Sequence, residues 1–214
     1  MKSTRWKIVR IFMHAGAVFP LAWLVLAALT QRLTFNPVQY LEQRSGDYAL
    51  ILLLASLACT PAAILSGIQQ IRQLRRPLGL YAAGYAVIHV SLFIWLDYGG
   101  DWQTILSTIN GRTTLWFGLA ASILLLVLAI TSICCIQFRM KVWWKRVHAL
   151  VYLAAALVLT HYALTVKGNL MTLSGKILGV IVAILILAIL LIIRTTTFQT
   201  LLTHLRGKIQ KSDK

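Results

Sequence analysis

Six apolar stretches, each about long enough to cross a bilayer, fill this chain from end to end. They are residues 11–29, 48–68, 78–96, 115–136, 147–166 and 174–193. A transmembrane helix needs about 20 mostly apolar residues, and each stretch meets that length. The sequence therefore predicts an all-α polytopic membrane protein: one domain over residues 1–214, built as a bundle of six transmembrane helices with short basic termini.

Composition and charge support the same class. Hydrophobic residues make up 59% of the 214 residues and charged residues only 12%, and the mean hydropathy is +0.78. Soluble domains average about 45–50% apolar and about 25% charged residues. A net charge of +16 would favour nucleic-acid binding in a soluble protein, but in a membrane protein basic residues flank the spans and set the topology. We therefore expect membrane lipid around the chain, and no nucleic-acid partner.

The distribution of Lys and Arg predicts the orientation. Sixteen of these 21 residues lie on the side of the predicted spans that includes both termini, and five lie on the other side with four of the five acids. Because cytoplasmic segments carry the excess of Lys and Arg, both termini are predicted to be cytoplasmic. The first stretch is long enough to span the membrane, so it is not interpreted as a cleaved signal peptide.

Two histidines are predicted to lie at the same depth in the outer half of the bundle. His89 is thirteen residues past Arg76 on the third span, and His161 is fifteen residues past Arg146 on the fifth. At about 1.5 Å per residue, these separations place the rings about 20 Å and about 22 Å from the basic side. Polar side chains at membrane depth are costly and usually mark a pathway or a cofactor site.

A second pair is predicted at the inner side, where His14 follows Arg10 by four residues and His148 follows Arg146 by two. Two pairs at two depths form the pattern that bis-histidine heme ligation requires, since imidazole is a good axial ligand for iron. The inner pair has a geometric difficulty. Thirteen residues leave His148 and His161 roughly 140° apart around a straight helix, so they share a face only if the helix winds or tilts.

Other interpretations of the histidines are open. A single histidine in a span is often hydrogen-bonded to a neighbouring helix. Zinc is disfavoured because no carboxylate or cysteine shares these depths, and a proton path would more typically include an acid in mid-span. The chain has no GxGxxG, P-loop or CxxCH motif, which argues against a soluble nucleotide or c-type heme domain. Gly79 and Gly84 on the third span offer close approach either to a neighbouring helix or to a flat ligand.

Several short motifs along the chain resemble those of one known family. They are His14 with Pro20; Thr60-Pro61; Arg75-Arg76-x-Leu78-Gly79-Leu80; His89; Thr131-Ser132; Trp144-x-x-Val147-His148; and His161-Tyr162 with Lys167. Over about residues 7–193 the pattern resembles the ferric-reductase-like transmembrane proteins. Within them it is most similar to the heme-binding membrane subunits of bacterial periplasmic protein-methionine-sulfoxide reductase systems.

The resemblance implies a cytochrome-b-like bundle in the bacterial inner membrane. It implies heme b, as one or two groups, and in that subfamily also flavin mononucleotide (FMN). His89 and His161 match the outer-heme ligands, His148 matches the inner ligand on helix five, and His14 matches a helix-one histidine. The larger ferric reductases and the NADPH oxidases carry a second histidine on helix three, where this chain has Arg76.

The resemblance also implies a function and its partners. Electrons would pass from a cytoplasmic flavin reductase or the quinone pool to a periplasmic molybdopterin methionine-sulfoxide reductase, which repairs oxidised periplasmic proteins. We therefore expect an electron-transfer subunit without a substrate pocket of its own. Residues on the cytoplasmic side would form a basic rim that attracts an acidic partner or a flavin phosphate. The rim comprises Arg75, Arg76, Arg139, Lys141, Lys145 and Arg146.

Two alternatives stay open at this stage. Within redox proteins, the chain could be a stand-alone b-type ferric reductase or a quinone-linked cytochrome. From another class, it could be a small membrane transporter without heme, whose histidines line a substrate path. The absorption spectrum separates these classes, because a transporter gives no Soret band.

Overall fold

The computed structural model of the protein describes residues 2–166, 168–169, 174–175 and 177–195. Within these ranges the helices are α1 (Lys2–Leu29), α2 (Pro37–Ser66), α3 (Arg75–Leu92), α4 (Trp102–Gly111), α5 (Thr113–Thr131), α6 (Cys134–Met140), α7 (Val142–Ala149), α8 (Val151–Thr165) and α9 (Ile177–Arg194). A 3₁₀ turn over Gln69–Leu74 precedes α3, and a π turn over Phe93–Asp97 follows it. Two-residue strands, β1 (Gly168–Asn169) and β2 (Ser174–Gly175), pair antiparallel.

Six helical segments of the described chain are long and apolar enough to cross a membrane. They are Thr4–Leu29, Pro37–Ser66, Gln69–Asp97, Thr113–Thr131, Val142–Thr165 and Ile177–Arg194. The predicted all-α polytopic fold with six transmembrane helices is thereby confirmed. Lys167 and the tail beyond Thr195, with its basic residues and His204, lie outside the described residues.

The second helix begins much earlier than the predicted residue 48. The Asn36 side chain accepts a hydrogen bond from the backbone N–H of Gln39 at 3.2 Å, and Pro37 occupies the first turn. This is a favourable helix start, because the cap satisfies a free donor and proline needs none. Gly67 ends α2 with a left-handed backbone, φ 74°, a conformation that costs glycine little.

The fourth span, α5, ends at Thr131, before the predicted residue 136. Side chains from elsewhere in the fold bind the carbonyls at this end. Trp144 Nε1 donates to the carbonyl of Thr131 at 3.1 Å, and the Arg76 guanidinium donates to the carbonyl of Ser132. The chain then forms the short α6, and a left-handed residue, Lys141 with φ 45°, separates it from α7. The fifth span consequently starts at Val142, before the predicted residue 147.

A turn at Leu150 interrupts the fifth span and divides it into α7 and α8. The predicted span, 147–166, was one uninterrupted stretch. The angle of roughly 140° between His148 and His161 was calculated for a straight helix. The sixth span starts at Ile177, after the predicted residue 174, because Ser174 and Gly175 belong to β2. The first span begins earlier than predicted, since α1 continues through the basic residues before Ile11.

Small side chains line the contacts between the helices. Ala82 of α3 and Ala154 and Ala155 of α8 are all 0% exposed, and Leu53 of α2 is 1% exposed. Small residues let helix backbones approach closely, which is how membrane helices gain packing energy. Large apolar side chains point outward instead, among them Phe12 at 73% exposure. This outward apolar surface is what a bundle surrounded by lipid presents.

Candidate functional site

The structure brings His89 of α3 and His161 of α8 together between the helices. Their ring centroids are 6.5 Å apart and the ring planes cross at 73°. Two imidazoles on opposite sides of one metal ion, at a metal–nitrogen distance of about 2 Å, have centroids roughly 6 to 6.5 Å apart. The observed spacing therefore fits one metal ion held between the two rings.

Hydrogen bonds fix which nitrogen each ring offers. His89 Nδ1 lies 2.8 Å from the carbonyl oxygen of Glu42, and His161 Nδ1 lies 2.8 Å from the carbonyl oxygen of Thr114. A carbonyl only accepts, so both Nδ1 atoms carry the proton and both Nε2 atoms keep a lone pair. A histidine that donates its other N–H to a backbone carbonyl is the usual arrangement of a metal ligand, because the bond orients the ring and raises its basicity.

The donor set of this site is two imidazoles. Among the described residues, no group of three or more His, Cys, Asp or Glu side chains is placed to hold a metal ion. A structural zinc site needs four such ligands. An iron whose other ligands come from a porphyrin needs only two protein ligands, and His89 and His161 are the residues that would hold it.

A second feature is a cavity of about 510 Å³ at the end of the bundle where α3 and α7 begin. This end is called the basic end below. The cavity is lined by Leu53, Ser56, Arg72, Arg75, Arg76, Gly79, Leu80, Leu125, Leu128, Ala129, Ser132, Gln137, Trp144, Lys145, His148, Ala149, Val151, Tyr152 and Arg194. His89 lies thirteen residues along α3 from Arg76, so the histidine pair is about 20 Å deeper in the membrane.

The charge of the cavity wall is entirely positive. Five of its lining residues are Arg or Lys and none is Asp or Glu. Like charges around a partly enclosed space repel one another, and an anion placed among them relieves that repulsion. The Tyr152 hydroxyl is buried in the same wall and has no hydrogen-bond partner among the described residues. A buried polar group without a partner is costly. The cluster of cations is the feature that indicates an anionic ligand.

The predicted basic rim and the observed cavity overlap only in part. Of the six residues predicted, Arg75, Arg76 and Lys145 line the cavity. Arg146 instead lies over the Trp143 ring, with 4.7 Å between its guanidinium carbon and the ring centroid. Two residues that sequence reasoning did not select, Arg72 and Arg194, complete the cluster. Arg194 lies on the sixth span, far along the chain, so only the fold reveals its proximity.

His148 lies in the wall of this cavity. Its ring is stacked on Trp144, 4.2 Å between centroids, and its Nε2 is 3.3 Å from the hydroxyl of Thr131. That hydroxyl also donates to the carbonyl of Val127 at 2.8 Å, so its oxygen accepts from Nε2–H. His148 Nε2 is therefore already engaged in a hydrogen bond to Thr131.

His14 is placed away from the other histidines. It is exposed on α1, and its Nδ1 is 2.9 Å from the hydroxyl of Tyr81. It does not line the cavity that contains His148, and no ring contact joins these two residues among residues 4–166. The structure thus brings together the outer pair of histidines and does not bring together the inner pair.

Comparison with known proteins agrees with this architecture. A family model described as ferric reductase like transmembrane component matches residues 45–159, just over half of the chain. The chain belongs to the ferric-reductase-like transmembrane family. The matched range includes His89 and His148, and it ends two residues before His161.

Several similar proteins share the name protein-methionine-sulfoxide reductase heme-binding subunit MsrQ. One, from Xanthomonas oryzae pv. oryzae, is 37% identical over 173 residues, covering 78% of this chain and 79% of the relative. One from Rhodospirillum rubrum is 37% identical and covers 84% and 88%. One from Herminiimonas arsenicoxydans is 35% identical and covers 84% and 83%. The similarity extends over most of both chains in each case.

Proposed function

We propose that this protein is the heme b membrane subunit that delivers electrons to a methionine-sulfoxide reductase. The observation that carries the proposal is the pair His89 and His161. Neither Nε2 atom has a hydrogen-bond partner among the described residues, and the ring spacing suits one iron. The names of its relatives, which describe heme-binding subunits of such a reductase, support the assignment. A heme bound there supplies a one-electron ferric/ferrous couple within the membrane.

In this proposal the chain holds a single heme b, at the outer pair. His148 and His14 do not act as a second ligand pair, since His148 Nε2 is bonded to Thr131 and His14 is bonded to Tyr81. The two Nδ1–H bonds to backbone carbonyls keep the rings in place. The protein would thus orient the iron and set its surroundings.

The cavity at the basic end is the proposed FMN site. Arg72, Arg75, Arg76, Lys145 and Arg194 would surround the phosphate group. Trp144, which is stacked on His148 on one side, supplies aromatic surface of the kind on which a flat ring system packs. The guanidinium carbon of Arg194 lies 4.9 Å from the centroid of the Tyr152 ring, so that ring is already covered on one side. The cavity therefore suits a ligand that combines a phosphate with a flat aromatic group.

The proposed direction of electron flow follows from the topology. The basic end is cytoplasmic by the distribution of Lys and Arg, so a cytoplasmic flavin reductase or a quinol would reduce the protein from that side. The histidine pair lies nearer the periplasmic side of the inner membrane. From there a periplasmic molybdopterin methionine-sulfoxide reductase would accept the electrons.

Reconstitution tests this function. The purified protein is placed in liposomes with a cytoplasmic-type flavin reductase outside and a molybdopterin methionine-sulfoxide reductase inside. NADH addition is expected to reduce the heme whenever the flavin reductase is present, and to reduce the methionine sulfoxide inside the liposomes only when all three proteins are present. If a fully heme-loaded protein is reduced by the flavin reductase but passes no electrons to the methionine-sulfoxide reductase, the assignment of the partner is contradicted.

His14→Ala is expected to leave the heme content unchanged. His14 is exposed and its hydrogen bond to Tyr81 ties α1 to α3, so its loss costs about 1 kcal/mol of stability and no iron ligand. Heme per chain, measured by the pyridine hemochrome method, checks this. A loss as large as that of His89→Ala would make His14 a ligand and overturn the single-site proposal.

His148→Ala is likewise expected to keep one heme per chain. The change removes the stacking on Trp144 and the bond to Thr131, so the affinity for FMN is expected to fall instead. Heme and flavin are measured in the same preparation. A variant that loses half of the wild-type heme while retaining its flavin would show that His148 binds a second heme.

A further inference from the structure

Two glycines lie directly against the histidine pair. A Cβ atom added at Gly118 of α5 would lie 2.8 Å from both Nδ1 and Cε1 of His161. A Cβ atom added at Gly46 of α2 would lie 3.2 Å from Nδ1 and 3.3 Å from Cε1 of His89. The first distance is closer than packed carbon and nitrogen atoms approach, and the second is tight. Each ring therefore rests on a stretch of helix backbone that only glycine leaves bare.

The same local arrangement occurs twice. Glu42, whose carbonyl binds His89, is four residues before Gly46, and Thr114, whose carbonyl binds His161, is four residues before Gly118. Residues four apart lie one turn above each other on the same helix face. In both cases 47 residues separate the carbonyl from its histidine. Each ring is held by a hydrogen bond at one turn and by a bare glycine at the next.

Other helical glycines of the described chain do not make such contacts. A Cβ atom at Gly84 of α3, at Gly16 of α1 or at Gly111 of α4 meets nothing within 4 Å. One at Gly79 meets the Ser56 hydroxyl at 3.3 Å, and one at Gly179 meets the Tyr162 hydroxyl at 3.2 Å, so neither lies against a histidine. Gly84 and Gly16, two of the open positions, are matched controls for a glycine-to-alanine change in a membrane helix.

We propose that Gly118 and Gly46 are positioning residues of the iron site: they allow each histidine ring to lie against the facing helix, where its Nδ1–H reaches a backbone carbonyl. This inference rests on the proposed heme function. A methyl group at Gly118 displaces the His161 ring and lengthens its bond to Thr114. An imidazole that loses this bond is a weaker donor to iron and stabilises the ferric state less, so the midpoint potential rises.

Four full-length variants test the inference, namely Gly118→Ala, Gly46→Ala, Gly84→Ala and Gly16→Ala. Hemin affinity of the apoprotein, the low-spin electron paramagnetic resonance signal and the midpoint potential are measured for each. Gly118→Ala is expected to weaken hemin binding about 10–100-fold, the range seen when an outer-shell partner of a metal ligand is lost, and to raise the potential. Gly46→Ala is expected to change all three in the same direction by less, and both controls are expected to match the wild type.

The apoprotein gives a readout that does not depend on heme. The ¹⁵N chemical shift of His161 Nδ1 reports its hydrogen bond and is expected to change in Gly118→Ala and not in Gly84→Ala. If the wild type binds no heme, the proposed function fails, and this shift still decides the positioning role. If Gly118→Ala fails to fold, the ¹⁵N chemical shift of His89 Nδ1 in Gly46→Ala decides the positioning role. Wild-type affinity, potential and Nδ1 shift in the folded variants would overturn the inference.

Discussion

Replacing His161 by alanine is expected to abolish heme binding, and His89→Ala is expected to do the same. The rings are 6.5 Å apart and neither Nε2 has a hydrogen-bond partner among the described residues, so in the proposed site each ring would supply one of the two iron ligands. Loss of a ligand should exceed the roughly 10–100-fold cost of losing an outer-shell partner. The measurement is heme per chain together with the Soret band of the purified variant. A variant with the heme content and spectrum of the wild type would refute the ligand assignment.

Two controls separate ligand loss from misfolding. His14→Ala removes a histidine from α1 that lies outside the pair, and it should keep its heme. Imidazole added to His161→Ala fits the space left by the side chain and replaces the missing ligand, so it should restore a low-spin spectrum. Recovery of heme with imidazole would show that the variant is folded and lacks only the ligand.

Replacing Arg75 by glutamine is expected to weaken FMN binding by about 10–100-fold. The cavity contains five cations and no acid, and a hydrogen bond to a charged group contributes about 1.5–3 kcal/mol, with about 1.4 kcal/mol per factor of ten. Arg75 is preferred to Arg76 for this test because the Arg76 guanidinium also binds the carbonyl of Ser132. The measurements are FMN released per chain and an FMN titration of the flavin-free protein.

Arg44→Gln is the matched control for this change. It removes the same charge near the start of α2, where Arg44 is 45% exposed and 3.8 Å from Asp47, and it does not touch the cavity. Its FMN affinity should equal that of the wild type. Equal affinities in Arg75→Gln and Arg44→Gln would exclude the cavity as the flavin site. Heme content should be unchanged in Arg75→Gln, because the histidine pair is about 20 Å deeper than Arg75 by helical rise.

The number of spans and the level of the outer pair were predictable because each depends on local quantities. Apolar length gives the spans, and rise per residue gives the depth of His89 and His161, which the structure brings into contact. The same counting placed His14 and His148 at one level, but depth says nothing about direction around a helix axis. The turn at Leu150 and the bond of His148 to Thr131 depend on tertiary packing.

The glycines were misjudged for a similar reason. Gly79 and Gly84 were predicted as points of close approach. The prediction is confirmed for Gly79, where a Cβ atom would lie 3.3 Å from the Ser56 hydroxyl of α2, and it is wrong for Gly84, where a Cβ atom would meet nothing within 4 Å. The glycines that lie against the histidines are Gly46 and Gly118. Gly46 lies before residue 48, where the second span was predicted to begin, since the Asn36 cap that starts α2 was not recognised. A sequence signal did exist, because the spacing of glycine and histidine is the same in both halves, Gly46 to His89 and Gly118 to His161.

The central claim is that one heme b is held between His89 and His161. A reduced-minus-oxidised absorption spectrum of the detergent-purified protein, with heme quantified per chain, tests it most directly. The account predicts a b-type spectrum with one heme per chain. A colourless preparation that shows no Soret band after hemin is supplied would contradict it.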